Sequence, residues 1–204
     1  MTETHQSADL PVAPVLVDHS PDWQARGRSF TGELLAALAP FASYVEHIGS
    51  TSIPGMAAKP VFDLQVSVAD LEEAEKAFAE PLSARGFQLS RHRHDHVPAG
   101  LDDDPQEWTK RLWSRRAHPA GPDVNLHVRR LGSPNERLAL LFRDWFRAHP
   151  EAVPAYARFK QVLAGAVDDT GVYADVKDPV VDLVGTVAEP WAAATGWTPH
   201  GRQG

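Results

Sequence analysis

The chain has 204 residues, 43% of them hydrophobic and 23% charged, a net charge of -7 and no cysteine. These proportions are near the globular average and argue against wholesale disorder, and the length suffices for one sizeable core. Disulfides, thiolate metal sites and cysteine nucleophiles are excluded, and the acidic balance argues against general nucleic-acid binding. The charge is uneven, however. Arg85 to Arg130 carries nine Lys and Arg against six Asp and Glu, a basic segment that favours a confined anionic ligand, with a solvated charged surface as the alternative.

The first residues, MTETHQSADLPVAPV, lack a basic start followed by an apolar run, and nothing approaches the roughly 18 consecutive apolar residues of a membrane helix. The expectation is a soluble, cytoplasmic protein that does not engage membranes. Residues 1–14 are expected to form a loose tail, 15–197 a single domain that is helical from about 134, and 198–204 a second tail.

A short strand around Val15 to Val17 precedes HSPDWQ, which starts a helix with Ser20 as N-cap and Pro21 at its first position. Apolar spacing through Phe30, Leu34, Leu35 and Leu38 carries it to about Ala39. Tyr44 to Ile48 and Pro60 to Val68 read as strands. In the second, Phe62, Leu64, Val66 and Val68 share one face, while Asp63, Gln65 and Ser67 share the other. Asp70 caps a helix ending before Gly86, and a strand follows at Phe87 to Leu89.

Arg91 to Pro122 is irregular, with a strand near Arg111 to Arg115. DVNLHVRR restores alternation, with Val124, Leu126 and Val128 opposite Asn125, His127 and Arg129. GSPNER starts a helix with Ser133 as cap, Pro134 first and Glu136 completing a capping box. That helix runs to Pro150, another spans about Val153 to Ala166, and a last one runs from Asp178 to about Ala194. The aromatic residues of LALLFRDWF are expected in the core, with Arg143 and Asp144 on a solvated face.

Strands interleaved with helices predict an α+β, mixed α/β domain with helices on one sheet face. If the two alternating strands are neighbours in register, the other face presents Asp63, Gln65, Ser67, Asn125, His127 and Arg129 as a pocket floor under the Arg91 to Pro122 segment. The GSTSIPG turn is a second element. Gly49 allows close backbone approach, Ser50, Thr51 and Ser52 offer N–H and hydroxyl donors to phosphate, and Lys59 adds charge, although such clusters are also ordinary turns. Arg111 and Arg115 alternate with Trp113, an arrangement in which a guanidinium would grip phosphate while the indole stacks on a base; Trp113 as core is the alternative. His92, His94 and His96 alternate and would converge for zinc or nickel if that stretch were a strand.

A strand, Gly-Ser, 12 intervening residues and an acid on the next strand form the layout of the nucleotidyltransferase superfamily. EHIGSTSIPGMAAKPVFDLQV, NLHVRRLGSPNERLALLFRDWFRAHPEAVPAYARFK and YADVKDP resemble the GrpB family within it, over about Val15 to Trp197. HDHVPAGLDDDPQEWTKRLW is most similar to the actinobacterial branch, where such a domain forms the C-terminal half of dephospho-CoA kinases. The resemblance implies a nucleotidyltransferase-like mixed sheet. It also implies nucleotide phosphates on Ser50 and magnesium or manganese on Asp63, with Asp63 and His127 at catalytic positions. The superfamily's second and third acids are replaced by Gln65 and His127, and histidine suits manganese better than magnesium. A lone carboxylate can hold a metal-nucleotide weakly, and His127 has the pKa range of a general base.

Two readings remain open from the sequence: single-metal nucleotidyl transfer, with Ser50, Lys59, Arg111 and Arg129 on phosphates, and a non-catalytic module that binds a nucleotide or CoA-like ligand or steadies a partner kinase. Kinase chemistry is absent from this chain because it holds no GxxxxGK[ST].

Overall fold

A computed structural model describes residues 13–116, 118–119 and 121–201. Residues 1–12 and 202–204 of the expected tails lie outside the described residues, while His200 of the second stacks on Tyr44 and sets its Nε2 3.0 Å from Glu136 Oε1. Five strands, β1 (Ala42–Ile48), β2 (Phe62–Val68), β3 (Gln88–Leu89), β4 (Lys110–Arg115) and β5 (Val124–Arg130), form one mixed sheet in the order β1-β2-β5-β4-β3. β2 and β5 are parallel, and the other pairs antiparallel.

Five helices accompany the sheet: α1 (Asp22–Leu38), α2 (Leu71–Ser83), α3 (Pro134–Ala148), α4 (Val153–Ala166) and α5 (Thr170–Thr195). The alternation of β2 and β5 places Phe62, Leu64, Val66, Val68, Val124, Leu126 and Val128 on one face. There they pack against Trp23, Leu34 and Leu38 of α1 and Ala74, Phe78 and Leu82 of α2. At roughly 1.5–3 kcal/mol for each fully buried large apolar side chain, this layer is the main source of the fold's stability. Gly27 lets α1 approach β1, because a Cβ there would stand 2.1 Å from His47 Nδ1.

The opposite face is polar yet mostly covered. α3 crosses it, and Glu136 O in its first turn accepts from Gln65 Nε2; Gln65 and Ser67 are fully buried. A second apolar cluster joins Ile53, Met56 and Ala57, after the turn, to Phe146 of α3 and Tyr156 of α4. A third joins Leu141 of α3 to Ala188 and Ala192 of α5, beside Trp145, Trp191 and Trp197.

Several local expectations are corrected. Around Val15 to Val17 a single bridge, Val17 to Ala58, replaces the strand. Ser20 makes no side-chain cap; its carbonyl accepts from Trp23 N–H. Asp70 does cap α2, accepting from Glu72 and Glu73 N–H at 2.8 Å each. At α3 the capping box is rearranged. Ser133 Oγ turns back to Arg130 O, and Glu136 Oε2 accepts from Gly132 N–H rather than from the cap residue. α5 begins eight residues before Asp178, at a cap formed by Asp169 on Val172 N–H, and carries Pro179 inside it. The Asp-Pro pair imitates a helix start, but the Asp169 cap lies one loop earlier.

Candidate functional site

The parallel pairing of β2 with β5 sets Asp63 beside Asn125, Gln65 beside His127 and Ser67 beside Arg129. Because side chains alternate in both strands, these six share one face. Asp63 lies opposite Ile48, the last residue of β1, so the chain turns at Gly49 directly over its carboxylate. Gly49 has φ 67° and ψ -171°, a conformation essentially reserved for glycine, and a Cβ there would stand 2.5 Å from Asp63 Oδ2. Glycine is required at this position on two counts.

Asn125 Nδ2 donates to Asp63 Oδ1 at 2.7 Å, and His127 Nε2 lies 3.8 Å from the same oxygen. Burial raises the pKa of Asp63, but His127, the Asn125 amide and the Lys59 cation overcome it and hold the carboxyl down at about 2. It is a carboxylate at every physiological pH. Burial and the Arg129 cation lower the pKa of His127 despite Asp63, so the imidazole is held neutral. The Asp63 side chain keeps 32% of its exposure, the reachable part of this floor.

Deeper residues are spent on structure. Gln65 donates to Glu136 O at 3.2 Å and accepts from Arg129 Nη1 at 2.5 Å. Arg129 also donates to Asp95 Oδ2 at 2.9 Å, and Lys110 Nζ meets Asp95 Oδ1 at 2.5 Å. Asp95 Oδ2 takes a further bond from Asn135. Burial opposes ionisation of Asp95, but Arg129 and Lys110 outweigh it and drive its pKa far below the usual carboxylate range. This is the contact through which the Arg91 to Pro122 segment closes over the polar face. Arg129 and Gln65 are thus withdrawn from any ligand.

The turn offers less than its composition promises. Thr51 Oγ1 is engaged by His47 Nε2 at 2.9 Å, Ser52 Oγ donates to Gly49 O at 2.6 Å, and both residues are buried. Ser50 points toward α4, where Lys160 Nζ donates to its Oγ at 2.8 Å and to Ala57 O at 2.6 Å. Burial, then the Lys177 cation, lowers the pKa of Lys160 to about 7. Lys59 projects over the Tyr173 ring, and burial, Lys177 and Arg116 lower its pKa against the pull of Asp63. Arg116 in turn donates to Asn125 Oδ1 and Val124 O.

Lys160, Lys177 and Arg116 were missed in the sequence. Lys160 left a signal: it continues the apolar stripe Val153, Tyr156, Ala157, Leu163 of α4, where a lysine is costly unless it is used.

Arg111 does not join the site. Its strand partner is Val128, a core-facing residue, so Arg111 and Trp113 point to the α2 side, where Arg111 pairs with Glu75 and Trp113 is core. Lys110, opposite Arg129, takes the polar face instead. The histidine triplet does not converge either: His96 turns to Asp182 at 2.8 Å, and His94 bridges Thr109. Among the described residues no three His, Cys, Asp or Glu side chains are grouped to hold a metal. The donors near Asp63 therefore do not fit a two-ion centre: the second carboxylate position is an amide already bonded on both sides.

The site is a Gly-Ser turn over one ionised carboxylate, ringed by lysine and arginine, on a mixed sheet. The chain belongs to the GrpB family, whose pattern it matches over residues 13–186 under the description "GrpB protein". It is 35% identical to a dephospho-CoA kinase of Mycolicibacterium paratuberculosis over 96% of this chain and 50% of that protein. A UPF0157 protein of Streptomyces coelicolor is 32% identical over 81% of this chain and 79% of its own. The crystal structure of the conserved protein GrpB from Enterococcus faecalis superposes with a TM-score of 0.68 at 25% identity, covering 87% of this chain and 99% of that one. The chain spans about half the length of the relatives named dephospho-CoA kinase. No helix among the described residues is long and apolar enough to cross a membrane.

Proposed function

We propose that this chain binds a phosphate-bearing ligand, a nucleotide or a CoA-like molecule, at the Gly49–Ser50 turn, with Lys59 as its cationic partner and Lys160 holding the Ser50 hydroxyl in place. The observation that carries this reading is the buried Lys160 donating to Ser50 Oγ beside the Gly49 turn. With Lys160 donating to Ser50 Oγ, the hydroxyl's own hydrogen is free to donate to a phosphate oxygen beside the glycine turn. Lys59, Lys177 and Arg116 add positive charge around the single carboxylate Asp63. An anion is favoured there over a bare cation.

The support is for binding rather than turnover. A magnesium or manganese ion carried in on ligand phosphates would meet one carboxylate, Asp63, and a neutral His127. That donor set falls short of a two-ion transfer centre, because Gln65 is buried and bonded at both ends.

Titration calorimetry of the full chain with ATP, GTP, CTP and dephospho-CoA, with and without magnesium, tests the reading. Saturable heat for at least one ligand is expected, about tenfold weaker in Lys160→Met, which loses the bond that positions the Ser50 hydroxyl. Flat titrations with all four would sink it. The second reading, an accessory module for a kinase, draws on the relatives named dephospho-CoA kinase that are about twice as long as the matched region. It predicts co-elution with a separately expressed dephospho-CoA kinase domain, and independent elution at micromolar concentrations counts against it.

A further inference from the structure

A second concave surface lies behind the turn, at the edge of the sheet. β1 pairs only with β2, and its outer edge lies in a cleft between α1 and α3. A cavity of about 260 Å³ opens there, lined by Gln24 and Arg28 of α1, Glu46 and His47 of β1, and Arg143 and Arg147 of α3. The solvated face expected for Arg143 is not observed. Its guanidinium is buried and reaches Glu46 Oε2 and Asp144 Oδ1 at 2.7 Å each, and His47 O at 3.2 Å.

Those two carboxylates stand against the three guanidiniums of Arg28, Arg143 and Arg147, which leaves the group one counter-charge short. Arg147 spends Nε and Nη2 on the neutral Ser52 carbonyl, at 3.2 and 2.9 Å, and its Nη1 stands 3.6 Å from Asp144, beyond hydrogen-bond length. Burial and the adjacent Arg143 cation weaken its hold on its proton. Arg28 is exposed, with no hydrogen bond or ion pair to its guanidinium among the described residues. Gln24 Nε2 is buried and has no acceptor, while its Oε1 faces His19 Nε2 at 3.2 Å. His47 contributes no charge, since burial lowers its pKa to about 4.

The cavity thus carries one positive charge in excess, three guanidiniums against the Glu46 and Asp144 carboxylates, beside one unmet amide donor. A buried donor without an acceptor is costly, and an oxyanion supplies acceptors and counter-charge together. We propose that this cavity binds the phosphate group of a small phosphate monoester, gripped by Arg28 and Arg147 with the Gln24 amide as third donor. This site is separate from the one at Gly49 and Ser50. At about 30 Å³ per water, the space equals roughly nine waters, room for a phosphate and a short organic remainder.

Amide NMR of the full chain during titration with inorganic phosphate at constant ionic strength tests this, with acetate as the carboxylate control. The Gln24 side-chain NH2 signals should shift and saturate with phosphate and not with acetate. Arg28→Gln, an exposed change that leaves the fold intact, should weaken the response about tenfold, while Lys160→Met should leave it unchanged. An unsaturable Gln24 response, an equal response to acetate, full affinity in Arg28→Gln, or loss confined to Lys160→Met would each overturn the assignment.

Discussion

Lys160 of α4 donates to Ser50 Oγ across 110 residues of chain, in a position 2% exposed to solvent. The contact ties the helical half of the protein to the turn that covers Asp63. It also sets a pH dependence. The unfolded lysine titrates near 10.5 and the folded one near 7, so between these values the unfolded state binds more protons and stability rises with pH.

Urea unfolding at pH 7 and pH 9.5 checks this. The wild type should gain on the order of a few kcal/mol between the two, at about 1.4 kcal/mol per pKa unit. Lys160→Met should lose that gain. An identical pH response in the two proteins would show that Lys160 keeps an ordinary pKa.

Gly49→Ala is expected to destabilise the protein by about 1–3 kcal/mol, since it combines a glycine-only backbone conformation with a Cβ set against the Asp63 carboxylate. Gly32→Ala is the control: a Cβ there meets nothing within 4 Å, and an exposed helix position gains from alanine. Thermal melts should move in opposite directions.

Gln65→Glu places an acid at the superfamily's second metal position, and we expect no metal site to result. The glutamate would lose the donor that satisfies Glu136 O and set a carboxylate against that carbonyl. The expected cost is about 1–3 kcal/mol. Magnesium should leave the melting temperature of the variant unchanged, and stabilisation by magnesium would contradict the spent role assigned to this position.

Asp95→Ala should cost about 3–5 kcal/mol, because it strands the buried Arg129 and Lys110 charges. The folded pKa of Asp95 is depressed, so its contribution is complete above the unfolded value near 3.9 and is lost as pH falls below it. Acid unfolding followed from pH 5 downward should be less steep in Asp95→Asn than in the wild type.

The resemblance in the sequence named the family correctly, and its alternation identified the two strands that carry the site. Phe62 to Val68 and Val124 to Arg130 each divide cleanly into an apolar and a polar set, and only one pairing buries both apolar sets together. Asp63, Asn125 and His127 were legible for that reason. The same rule failed on β4, where either face carries cations: alternation says which residues share a face, not which face is inside. Register with β5 decided it, turning Arg111 to Glu75 and Lys110 to Asp95.

What the sequence by itself determined was therefore local: strand periodicity, the Asp70 cap and a glycine turn at 49 that lets backbone approach closely. Tertiary structure alone decided which polar groups stay free. Thr51, Ser52, Gln65 and Arg129 were donors or acceptors in abundance on paper, and each found an internal partner, while Arg28 and the Gln24 amide did not. The physical reason is that a buried polar group must be satisfied by whatever the fold brings within about 3 Å. For Gln65 and Arg129 those partners lie tens of residues away, beyond anything spacing along the chain can encode, and for Thr51 and Ser52 they lie within the folded turn itself.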